Sequence, residues 1–135
     1  MTEQELTSVR DLRKKIRDLE KKIHALRLNV ENITPVIDGL PHSTEAKSRV
    51  EKLAVSIVAA ERELAELREQ MPQAQAHLAE LITREVAEPV AQTLLVLRYV
   101  ACCSFREVAR RMNFDISHVF KLHRRALKKV NAGQR

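Results

Sequence analysis

Ser117, Lys121, Arg124 and Lys128 recur at intervals of four, three and four residues near the end of a 135-residue chain, with His118 and Arg125 beside them. At about 100° per residue, this spacing puts the four on one side of a helix and the other two on its edge. Guanidinium and ammonium groups in such a row bond phosphate oxygens and guanine edges, and a hydroxyl serves either a base or a phosphate. Two further cations, Arg106 and Arg110, lie four residues apart just upstream and on the outward side of their own segment. The chemistry on offer is recognition of a polyanion.

The distribution of charge points the same way. The segment from Pro89 to Arg135 holds ten Lys and Arg against two acids, Glu107 and Asp115, whereas the other 88 residues hold fourteen and sixteen. The net charge of +6 therefore divides into +8 at the C-terminal end and −2 elsewhere. Cations gathered at one end are the footprint of a nucleic-acid module, because each one placed on a phosphate releases condensed counterions. A solvated basic tail would carry the same charge, but its cations would not be interleaved with a regular apolar pattern.

Catalysis finds no foothold in these residues. His24, His42, His77, His118 and His123 lack metal-ligand spacing, and no glycine-rich loop is present to cradle a phosphate. Cys102 and Cys103 are adjacent, which suits neither a disulfide framework nor a zinc site, and they read as reduced structural thiols. His123 falls near the middle of an apolar face and reads as a packed histidine, while His118 fits either a packed or a base-reading role. The expectation is a binding protein with no cofactor and no metal.

The elements that hold the basic row follow from periodicity and caps. On a last helix over 116–130, Ile116, Val119, Ala126, Leu127 and Val130 form the inward face. Asp115 precedes it as a cap, bracketed by Phe114 and Val119 as a hydrophobic staple. Asn113 tolerates the left-handed conformation that ends the helix before. That helix starts at a capping box, Ser104-Phe105-Arg106-Glu107, and turns Phe105, Val108, Ala109 and Met112 inward. A further helix runs from Pro89 to near Ala101, with Val90, Leu94, Leu95, Leu97 and Val100 as its apolar face and the cysteine pair in the turn after it. Residues 85–135 are thus expected to form a three-helix, helix-turn-helix domain.

Residues 1–84 show a different pattern. Val9, Leu12, Ile16, Leu19, Ile23, Leu26, Val30 and Ile33 alternate in steps of three and four, which is a heptad seam. Pro35, Gly39 and Pro41 interrupt it, and Ser43 or Thr44 can cap a second heptad through Val50, Leu53, Ile57, Ala60, Leu64, Leu67, Met71, Ala74, Leu78 and Leu81, kinked at Pro72. The expected arrangement is an antiparallel helical hairpin, with helices about 2–32 and 44–84 and a loop over 33–43. It faces Ile33 to Val50, Ile23 to Ala60 and Val9 to Ala74, brings Lys22 towards Glu63, and sets Glu20 near Glu61. A parallel dimer through the first seam competes with it, since β-branched residues alternate there with leucine. Two hairpins are expected to associate as a homodimer through leftover apolar surface such as Val58 and Ile82.

Two glycines, four prolines and no tryptophan, among many Leu, Ala, Glu, Lys and Arg, support an all-α fold. No stretch reaches the roughly 18 uncharged apolar residues of a membrane span, and the charged start lacks a signal core, so a cytoplasmic protein without membrane contact is expected.

The run from Leu94 to Val130 resembles region 4 of bacterial sigma factors and the related LuxR-type helix-turn-helix proteins. The likeness is carried by Leu97-Arg98-Tyr99, Ser104-Phe105-Arg106-Glu107-Val108-Ala109, Val119 and Arg125-Ala126-Leu127. It departs at Asn113, where glycine is common, and at the cysteine pair, which replaces a polar turn. Over its length the chain is similar to short sigma-like proteins of phages and prophages, of the ArpU type of late-transcription regulator. The resemblance implies contact with promoter-like double-stranded DNA in a bacterial host cell, and with the RNA polymerase surface that sigma region 4 uses. It lacks an equivalent of the sigma region that binds the −10 element. Two other readings stand beside it: a phage-encoded inhibitor that grips host polymerase or a defence nuclease through the hairpin, and a non-specific nucleic-acid binder.

Overall fold

The computed structural model describes residues 1–33 and 44–133, and among them it is all-helical. The loop expected over 33–43, Ile33 apart, and the cap expected at Ser43 lie outside the described residues. The described residues form five α-helices: α1 Glu3–Ile33, α2 Thr44–Glu85, α3 Pro89–Leu95, α4 Phe105–Met112 and α5 Ile116–Ala132. A π-helical turn, Val96–Val100, continues α3. No described helix is long and apolar enough to cross a membrane.

Local sequence explains the ends. At the start of α1 the Thr2 hydroxyl accepts from the Glu5 N–H at 3.0 Å, and the Glu5 carboxylate accepts from the Thr2 N–H at 2.9 Å. This is a reciprocal capping box, legible as Thr-x-x-Glu and not picked out by the heptad reading. α2 runs unbroken through Pro72. α3 opens with Pro89, whose missing N–H costs nothing in a first turn. Its continuation widens because the Ala101 N–H donates to Val96, five residues back, at 3.0 Å.

The chain divides into two compact units, one comprising Met1–Arg13 with Gln70–Arg135 and the other Lys14–Glu69. These boundaries differ from a division at 84/85, for a packing reason. In the first unit Leu6 and Val9 of α1 and Leu78 and Ile82 of α2 share a core with Leu94, Leu95, Tyr99, Cys103, Val108, Val119, Ala126 and Val130. Leu12 is half-buried in the same unit, and Ala74 packs against that core. Ile82, expected as free apolar surface, is completely buried, because the last turns of α2 are core to the C-terminal helices. Val90 and Ile116, expected to face inward, are 37% and 42% exposed, since each lies in a first turn at the edge of its apolar face.

In the second unit Ile16, Leu19 and Ile23 of α1 are buried, as are Ala60 and Leu64 of α2, with Leu26, Val30, Ile57 and Leu67 half-buried. Arg27 pairs with Glu61 and Arg68 with Glu20, the latter at 2.8 Å, so the two segments run antiparallel. Glu20 and Glu61, expected to approach each other, each pair with an arginine of the opposite segment. Exposed pairs of this kind contribute only about 0–1 kcal/mol each, and the buried aliphatic layers dominate.

Candidate nucleic-acid interface

α4 and α5 are joined by Asn113, Phe114 and Asp115. The Ser104 hydroxyl caps α4 by accepting from the Glu107 N–H at 3.2 Å, which is one half of the expected box; no return bond from the Glu107 carboxylate is formed. Asn113 closes the helix at φ 60°, ψ 44°, a left-handed conformation that Asn tolerates better than most residues. The Phe114 N–H then donates to the Ala109 carbonyl at 2.9 Å, the six-to-one bond of a Schellman motif. Asp115 occupies the cap position of α5 in extended backbone, without a side-chain capping bond. The Phe114 ring meets His118 edge to face at 5.0 Å, which ties that histidine to the turn.

Beneath these helices lie Val108, Ala109, Val119, Ala126 and Val130, all buried. The anchoring fixes which way each helix faces. Arg106, Arg110, Ser117, His118, Lys121, Arg124, Arg125 and Lys128 are all exposed. On α5 the buried residues centre on one side, and Ser117, Lys121, Arg124 and Lys128 stand diametrically opposite at 100° per residue. Lys129 is drawn off this face and pairs with Glu88 at 3.3 Å.

Two surface residues escaped the sequence reading. Arg111 is a third exposed cation on α4. Phe120 is 40% exposed at the margin of the basic row, its ring 4.9 Å from that of Phe105. An aromatic residue set among cations was the available signal, and it was masked by the apolar pattern of the same helix.

Below the face, the π turn presents a polar cluster. The Tyr99 hydroxyl and His123 Nε2 are 2.7 Å apart, with the two rings stacked. Arg98 lies over the Phe105 ring at 4.1 Å and donates to the Cys103 carbonyl at 2.9 Å. Arg10 approaches the Tyr99 ring at 5.9 Å. Burial lowers the His123 pKa, and the charges of Arg98 and Arg10 lower it further. Burial also raises that of Tyr99. A neutral imidazole accepting from a protonated phenol satisfies both shifts. Cys103 is buried in the core, and Cys102 adopts φ 58° in the turn.

Among the described residues no group of three His, Cys, Asp or Glu could hold a metal ion. No family model, curated protein or solved structure matches this chain.

Proposed function

We propose that this chain is a sequence-specific regulator of transcription that binds duplex DNA, of the phage or prophage type, and that it works by binding without a catalytic step or cofactor. α4, the three-residue turn and α5 act as a helix-turn-helix, with 116–130 as the recognition helix in the major groove, and the antiparallel segments of α1 and α2 form an appended helical hairpin. The observation that carries the reading is the exposure of all eight expected side chains on two helices whose opposite sides are buried. From Ser117 to Lys128 the row runs roughly 17 Å at 1.5 Å per residue, enough to lie along several base pairs. Arg106 and Arg110 serve the backbone phosphates, and Lys121 and Arg124 read bases. Two copies acting together would set two such helices in successive major grooves about 34 Å apart. Contact with RNA polymerase, in the cytoplasm of a bacterial host, rests on the sigma resemblance alone.

Selection of bound sequences from a random duplex pool, at about 150 mM salt, tests the proposal. An enriched motif is expected, and Lys121→Ala and Arg124→Ala should each weaken binding to it by about 1–3 kcal/mol with helix content unchanged. Binding that depends on salt alone would reduce the protein to a non-specific binder. A folded protein that selects nothing and binds polymerase or a nuclease without DNA would transfer the function to the hairpin.

A further inference from the structure

The side of α2 turned away from α1 carries a second, exposed heptad, Ser48, Glu51, Val55, Val58 and Arg62, in steps of three and four, and exposed Ala65 continues it at the margin beside α1. Val55 is 70% exposed and Val58 48%, the two most exposed large apolar side chains among the described residues. A stripe at this spacing is what one helix presents to another, and its charges determine which helix that is. A parallel second copy would set Glu51 on Glu51 and Arg62 on Arg62, like charge on like. An antiparallel second copy, turned about a two-fold axis between Val55 and Val58, sets Val55 against the other copy's Val58, Ser48 against its Ala65 and Glu51 against its Arg62. Each pair occurs twice by symmetry.

The flanks agree with this register. In an antiparallel pair the residue following each second stripe position faces its equivalent across the seam, so Lys52 reaches the other copy's Glu66. Ala59, small and exposed, meets its own symmetry mate near the axis. Every charge from Glu51 to Glu66 on this face that would meet a charge in that register meets one of opposite sign.

We infer that this face of α2 is a self-association surface, on which a second copy of the chain docks antiparallel in the register that pairs Val55 with Val58 and Glu51 with Arg62. The inference deepens the proposed function by giving the second copy its contact, and it replaces the Val58 and Ile82 surface expected from sequence, because Ile82 is buried. With only two valines per copy the association is modest, and selectivity comes from the charges.

Sedimentation of the full chain without DNA, over a range of concentrations, reads the association directly. A monomer–dimer equilibrium is expected. Val55→Asp with Val58→Asp should abolish it while leaving helical circular dichroism intact, since both side chains are exposed. Glu51→Arg alone and Arg62→Glu alone should each weaken the dimer by about tenfold or more, each acting at two sites. Glu51→Arg combined with Arg62→Glu should restore it to within about threefold, because the same pairs re-form with signs exchanged. A chain that stays monomeric, a dimer indifferent to the valine changes, or a double reversal no better than the singles overturns the pairing. A monomer that still selects a DNA sequence overturns this pairing and leaves the DNA reading standing.

Discussion

Leu6→Ala separates a core shared by α1 and the C-terminal helices from a self-contained C-terminal domain. Leu6 is 1% exposed and packs in the cluster that contains Leu94, Tyr99, Val108 and Val119. Removing three carbons at about 0.8 kcal/mol each loses about 2.4 kcal/mol of transfer free energy, and the residual cavity adds to that, within the roughly 2–5 kcal/mol seen for Leu→Ala. Leu6 lies in the first turns of a helix, where neighbours can relax, so we expect about 3 kcal/mol. The chain has one tyrosine and no tryptophan, so intrinsic fluorescence reports on Tyr99, which is 5% exposed in this same core. With an m value of about 1.5 kcal/mol/M, the urea midpoint followed at Tyr99 should fall by about 2 M. Leu28→Ala, at a side chain already 44% exposed, should move it far less. If the Tyr99 transition stays where it is in the Leu6→Ala protein, the shared core is refuted.

Two further outcomes follow from the cap and the polar cluster. Ser104→Ala removes the acceptor for the Glu107 N–H and should cost about 1 kcal/mol in the same urea assay; an unchanged midpoint would mean that solvent replaces the cap fully. Because the folded state holds the His123 pKa below its ordinary 6.5, its stabilising contribution is complete above that value and is lost as pH falls through it towards the folded pKa, where the unfolded chain binds the proton more readily. Melting temperature should therefore drop below about pH 6.5, and His123→Gln should flatten that part of the profile; equal slopes for the two proteins would remove His123 as the cause.

Much of the local architecture was legible because it is written in short-range chemistry. Ser104, Asn113 and Pro89 mark helix ends through their own backbone preferences, and each does so here. Ile16, Leu19, Ile23 and Leu64 are buried as a heptad requires. The exposure of Lys121 and Arg124 was readable for the same reason, since periodicity opposes them to Val119 and Ala126. What escaped was set by partners distant in sequence. The mostly apolar run from Leu94 to Val100, broken by Arg98, gives no periodic cue for one extra residue in a turn, so the π segment was invisible. Tyr99 finds His123 twenty-four residues on, and Ile82 is claimed by helices that follow it. No local pattern records either choice.

The unit that contains Leu6 is discontinuous in the chain, with the 56 residues from Lys14 to Glu69 interposed between its two parts. During synthesis this fixes an order of events. The interposed segment is complete before the stretch from Gln70 to Val130 that finishes the core is made, which takes on the order of seconds at about 5–20 residues per second, whereas helices form and pair in microseconds. Leu6 and Val9 are made well before they can be buried, because Val119, Ala126 and Val130 must arrive before their core closes. Antiparallel pairing within the interposed segment meanwhile shortens the free loop that the discontinuous unit must close, and an unpaired loop of that length would take roughly 3–4 kcal/mol from the chain's entropy.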